Sequence, residues 1–199
     1  SSILNKKENK LDKEEMDKIS SRSTQKEKDA TKAERQTVKL MQTVFMKDKL
    51  GKRFIGTSNC LIAMRRDLEA IGTNAHELPM IYSALSKTEK EIKEAHYDVL
   101  AKWHEEHEGN LRVILPDTYG LENFFKNSPK WLASWTGIRI DSGDLEKNAE
   151  LAINWWKKKG EDIKKKLLIF SDGLDTEKII YLHKRFSNEI KVGFGWGTL

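Results

Sequence analysis

The chain has 199 residues, 34% of them charged and 38% hydrophobic, with a formal net charge of +5. That length holds one domain with a real core; no apolar run approaches membrane-spanning length and no signal peptide opens the chain, which argues against a membrane or secreted protein. Its lysines interleave with acids, a pattern that fits a solvated surface or small anionic substrates better than nucleic acid.

Residues 1–36 hold no aromatic and only a scatter of Ile, Leu, Met and Ala among Lys, Glu, Asp, Ser and Asn. Such a lysine-rich segment cannot bury enough surface to offset its ordering entropy, so it is expected to be disordered or loosely helical. From Thr37 the pattern changes, and residues 37–199 read as one folded domain, a partial β/α barrel. Val38, Met41, Val44 and Phe45 recur at helical spacing, with Gly51 as a C-cap. A first strand over Arg53-Phe54-Ile55 runs into Gly-Thr-Ser-Asn, where Ser58 or Asn59 can cap a helix through Arg66. Cys60, the only cysteine, is expected in the core, with a cytoplasmic location as the simple reading. A second strand, Glu69-Ala70-Ile71, ends in Gly-Thr-Asn-Ala-His-Glu, and Ala75 starts a helix. Residues 89–107 predict a long exposed helix ending at Gly109, with His104 and His107 on a solvated face.

The third strand, Arg112–Leu115, is stopped by Pro116 ahead of Asp-Thr-Tyr-Gly. The fourth, Gly137–Ile140, ends in Asp-Ser-Gly-Asp, whose Asp144 caps a helix carrying Leu151, Trp155 and Trp156. The fifth, Leu167–Phe170, ends in Ser-Asp-Gly-Leu-Asp, and Thr176 is placed as the cap of the next helix. The sixth, Lys191–Phe194, runs into Gly-Trp-Gly-Thr. Trp131, Trp135, Trp155 and Trp156 are expected to pack helices against the sheet. This strand-then-helix rhythm predicts an α/β fold of parallel strands, either a sheet or most of a β/α barrel. No dinucleotide fingerprint follows the first strand. Six strands with two open edges and a stop at Leu199 are expected of a segment of a longer chain, marginally folded and inactive when made alone.

Polar clusters at the carboxyl ends of parallel strands are where ligands meet helix N-termini and loop amides. Asp141 and Asp144 can bind a diol, hold a metal or steady a developing cation, and Gly143 allows close backbone approach. The alternative is a cap plus a turn, which suits Asp144 better than Asp141. The glycine-bearing turns after the last two strands are candidate phosphate cradles. His76 can serve as a base, a ligand or a nucleophile toward phosphate.

Taken in order, these motifs resemble nicotinate phosphoribosyltransferase from about residue 35 onward. The resemblance implies an incomplete irregular β/α barrel of the type II phosphoribosyltransferase kind with a charged N-terminal extension. It implies an enzyme joining nicotinate to phosphoribosyl pyrophosphate, with ATP as co-substrate, Mg²⁺ accompanying the phosphates, no tightly bound organic cofactor and no dedicated metal ligands. A homodimer is compatible with it; a membrane or nucleic-acid partner is not expected. His76 matches the histidine that ATP phosphorylates. Arg139 and Asp141 match the pair lining the ribose and base site, and with His76 they form the implied catalytic set. Thr57, Ser58, Asp117, Ser142, Gly143 and Asp144 are implied in substrate binding, with the neutral Ser58 favouring the acid nicotinate over its amide. Ser171, Asp172, Gly173, Gly195, Gly197 and Thr198 match the turns that hold the 5-phosphate. Ile140 departs from the family, which usually has His or a similar residue between that Arg and Asp. Two other readings stand beside this one: a catalytically silent barrel segment acting through its basic N-terminal arm, and another phosphate-binding β/α-barrel enzyme such as an aldolase or isomerase. The latter would need a strand-end lysine for a Schiff base and leaves Ala-His-Glu unexplained.

Overall fold

The computed structural model describes residues 50–107 and 111–197, together with Thr43, Lys47 and Asp48. The expectations for residues 1–36, for the helix on Val38, Met41, Val44 and Phe45, for Gly109 and for Thr198 lie outside the described residues. The chain divides into two compact units, one reaching Gly72 and including Gly197, the other spanning Thr73–Trp196.

In the first unit, β1 (Gly56–Thr57) pairs in parallel with β2 (Glu69–Ala70), and α1 (Cys60–Arg66) connects them. The first strand thus lies on Gly-Thr rather than on the apolar run before it. The pairing decides this, since the Ile71 amide donates to the Thr57 carbonyl. Asn59 is the N-cap of α1 and accepts from the Ile62 amide at 3.1 Å. Cys60, first residue of that helix, is exposed rather than in the core, and Ile62 and Ala63 are buried in its place.

The second unit contains α2 (Glu77–Leu85), α3 (Glu89–Glu106), β3 (Val113–Ile114), α4 (Leu121–Asn127), β4 (Gly137–Ile140), α5 (Leu145–Lys158), β5 (Leu167–Phe170), α6 (Thr176–Phe186) and β6 (Lys191–Phe194). Its sheet is parallel and runs in chain order, β3-β4-β5-β6. The described pairings therefore give two parallel sheets, which carry the α/β expectation; a closed barrel is not among them. Ile138 and Ile140 of β4 stand in register with Leu168 and Phe170 of β5, and all four are fully buried. The α5 helix lays Ala149, Ala152, Ile153 and Trp156 into the same core at the spacing of one helical face. Each large side chain buried this way contributes about 1.5–3 kcal/mol. Trp135, Trp155 and Trp156 are in that core as expected, whereas Trp131 stays partly exposed.

Helix starts follow from local chemistry. Thr88 and Glu91 form a reciprocal capping box on α3, Asp144 accepts from the Lys147 amide to cap α5, and Asp175, not Thr176, caps α6 through the Lys178 amide. Contrary to the exposed reading, α3 buries Ala95, His96, Val99 and Leu100. Nor is His104 solvated, because its Nδ1 accepts from the Trp135 indole N–H at 3.0 Å. Just ahead of β5, Lys166 is buried, and its ammonium donates to the Ala133 and Trp135 carbonyls at 2.7 and 3.0 Å and pairs with Glu161 at 2.8 Å.

Candidate active site

Strand alternation builds this site. Ile138 and Ile140 point into the core, so Arg139 of β4 projects from the opposite face and Asp141 follows at the strand's carboxyl end. The Arg139 guanidinium donates to Asp141 Oδ2 at 2.7 Å, to Ser171 Oγ at 2.7 Å and to Thr73 Oγ1 at 2.9 Å. Ser171, one residue past β5, in turn donates to Asp141 Oδ1 at 2.5 Å. Both carboxylate oxygens of Asp141 are thereby fixed, and the ion pair is partly buried. Three of the five guanidinium N–H groups are committed in this way, so the rest can meet a ligand.

His76 immediately precedes α2. Its Nε2 lies 3.3 Å from Asp141 Oδ2 and 3.7 Å from Asp117 Oδ1, and its Nδ1 is 2.9 Å from the Thr118 hydroxyl. Two carboxylates on Nε2 favour the tautomer with the proton there, leaving the Nδ1 lone pair to accept from Thr118. The Asp117 side chain is only 2% exposed. One of its oxygens accepts from Ser142 Oγ at 2.5 Å, while the other, Oδ1, has no hydrogen-bond partner. A buried acceptor without a hydrogen bond to protein costs stability, and this one faces the His76 imidazole.

The structure thus brings His76, Asp117, Arg139, Asp141, Ser142 and Ser171 together. Asp144 serves as a helix cap, and Gly143 adopts φ +71° beside it, a conformation that glycine alone takes cheaply. Asp172 is exposed in the next turn, and Gly173 there has φ +52°. Gly195 abuts Ser171, since a methyl on it would meet Ser171 Cβ at 3.4 Å. Thr57, Ser58 and Gly197 belong to the other unit; Thr57 Oγ1 accepts from the Asn59 amide and Ser58 is exposed. Thr118, Thr73 and Lys178, whose ammonium donates to the Gly173 carbonyl at 2.7 Å, were not singled out as site residues by sequence reasoning. The two threonines do stand inside motifs that it marked. Beside the constellation, Asp117, Gly120, Asn123, Ser142 and Asn148 line an open groove of about 520 Å³.

A model of the nicotinate phosphoribosyltransferase (NAPRTase) family matches residues 29–199. The chain belongs to the nicotinate phosphoribosyltransferase family. The crystal structure of nicotinate phosphoribosyltransferase from Porphyromonas gingivalis is 33% identical, with a TM-score of 0.75 over 81% of this chain and 41% of its own. The enzyme from Vibrio cholerae is 31% identical, with a TM-score of 0.74 over 80% of this chain and 37% of its own. A structure from Saccharomyces cerevisiae is 27% identical, with a TM-score of 0.69 over 82% of this chain and 40% of its own. The chain spans about two-fifths of the length of these solved nicotinate phosphoribosyltransferase-like chains. Among the described residues, no helix is long and apolar enough to cross a membrane.

Proposed function

We propose that the full protein joins nicotinate to phosphoribosyl pyrophosphate, releasing pyrophosphate and nicotinate mononucleotide, in the cytoplasm and with coupled ATP hydrolysis. The observation that carries this reading is the His76 imidazole flanked by Asp117 and Asp141, beside the Arg139–Ser171 pair, in a chain of this family. In the transfer step the pyridine nitrogen bonds to C1 of the ribose as the C1–O bond to pyrophosphate breaks and the leaving group takes the electron pair. Positive charge grows on the ribose ring, and Asp141, locked by Arg139 and Ser171, is a preorganised carboxylate to stabilise it. The turns at Ser171–Gly173 and Gly195 offer backbone amides and little steric bulk to the 5-phosphate. Mg²⁺ enters with the phosphates of the substrates; among the described residues, no group of three or more His, Cys, Asp or Glu is arranged to hold a metal ion.

Coupling runs through His76 in this reading. Once the Thr118 hydroxyl turns its proton away, Nδ1 attacks the γ-phosphorus of ATP, the bond to the β-phosphate oxygen breaks, and ADP leaves with the electron pair. Asp141, the nearer carboxylate, faces the Nε2 proton, and with Asp117 it stabilises the charge that the ring gains. A neutral Ser58 tolerates the nicotinate carboxylate, where an acid would repel it.

The test is incubation of the full-length protein with ATP, followed by assay for an acid-labile, base-stable phosphate and for nicotinate mononucleotide. Wild type is expected to label and His76→Ala to lose the label; equal labelling of the two removes His76 from the reaction. Ser58→Asp is expected to weaken nicotinate and spare nicotinamide, and an unchanged preference removes Ser58 from the base site.

A further inference from the structure

His96 is the one buried histidine that the proposed chemistry leaves unused among the described residues. It lies on α3, 5% exposed, and its Nε2–H donates to the Leu115 carbonyl at 3.0 Å. Leu115 sits just beyond the β3 ladder, so its carbonyl lies past the last paired residue of that strand. Two residues later come Asp117 and then Thr118, which meet the two nitrogens of His76.

The same segment is gripped from other sides. The His96 ring lies tilted at 4.8 Å from Phe124 and meets Tyr119 edge-on at 6.0 Å. The Tyr119 hydroxyl in turn donates to the Pro79 carbonyl at 3.2 Å and lies 2.8 Å from Ser83 Oγ, which can donate to it, both on α2, the helix that begins right after His76. Tyr97, next to His96, donates to the Phe124 carbonyl at 3.0 Å. Residues 115–124 are thus tied to α3 before and after the acid, and to α2 between.

We propose that His96 is a positioning residue, fixing the end of β3 so that Asp117 and Thr118 meet His76 in the geometry that its reaction needs. It touches no reacting atom. The inference rests on the functional reading above for the reaction, and on the hydrogen-bond geometry alone for the positioning. Burial holds the imidazole pKa down to about 4, so near neutral pH the ring is uncharged and has a single N–H, which goes to Leu115.

The test compares His96→Leu, which removes the donor, with His96→Gln, whose amide nitrogen can stand where Nε2 stood, in the full-length protein. Rates of His76 phosphorylation and nicotinate KM are measured, and the His76 ring signal is followed by NMR without substrate. H96L is expected to slow phosphorylation about 10–100-fold, as small misplacements do, with KM within about two-fold and a displaced His76 signal. H96Q is expected to restore most of the rate and the native signal. A wild-type rate and signal in H96L, or an equal loss in H96Q, overturns the proposal. Should H96L fail to fold, H96Q against the shorter H96N decides it, and equal rates and signals in those two overturn it. A wild-type protein without phosphohistidine or nicotinate mononucleotide overturns the functional reading alone, because the ring signal still reports the positioning.

Discussion

Lys166 stands just before β5 and Ser171 just after it, and the polar groups at these two ends are treated differently. At the amino end a buried ammonium meets two carbonyls and one carboxylate. On the carboxyl side of the sheet, beyond β3, Asp117 keeps one buried oxygen without a hydrogen bond to protein, and the neighbouring His76 side chain is 34% exposed. Saturation marks a polar group that holds the fold, because every open valence inside costs stability. The open oxygen of Asp117 lies next to an accessible imidazole, where the proposed reaction has a charge develop.

Three substitutions and conditions can break or sharpen this contrast. The largest effect is expected from Asp141→Asn in the full-length protein, a loss in kcat of about 2–4 kcal/mol, as for other preorganised electrostatic groups, with little change in thermal midpoint. Near-normal turnover would return Asp141 to a turn residue. Next comes pH. An unfolded-chain histidine takes its proton near 6.5, whereas His96 does so at about 4, chiefly through burial, with the Leu115 bond opposing that shift. Between those values the unfolded chain binds the extra proton, so stability falls as pH drops. The contribution is complete above 6.5 and lost toward 4, about 3 kcal/mol in all. Unfolding measured from pH 7 to 4 should show this slope in wild type and not in H96Q; identical slopes would mean that His96 is solvated. The smallest effect is expected from Lys166→Met, about 1–3 kcal/mol of stability through the orphaned carbonyls and Glu161, with kcat unchanged. A fall in turnover at unchanged stability would erase the distinction between the two ends.

Legibility in the sequence followed the same divide. Strands β4, β5 and β6 were readable to the residue because each is a four-residue run closed by a turn. The start of β1 was not, since ladder pairing with β2 and not apolarity placed it on Gly56–Thr57. His76, Asp117 and Asp141 were legible as strand-end polar groups, but Thr118 as the Nδ1 partner needed the fold. His96 and His104 were hidden among Lys and Glu on a helix that looked solvent-facing; only the contact of α3 with Leu115 just past β3 buries His96, and Trp135 half-covers His104. Cys60 failed in the other direction, an apolar residue type turned outward by its place beside a helix cap. Ile140 is fully buried on the core face, between Arg139 and Asp141 of the candidate site.

Strands β4, β5 and β6 are neighbours in space as in sequence. At about 4.8 Å per strand, the turns after them form a short row, and its character changes along its length. Asp141 offers a carboxylate, Ser171 a hydroxyl, and Gly195 bare backbone. In the proposed reaction, the Asp141 end faces the positive charge that grows on the ribose, and the Gly195 end leaves room for the 5-phosphate. A small molecule carrying both kinds of group, one at each end, has a head and a tail on this surface, and only one way round to lie along it.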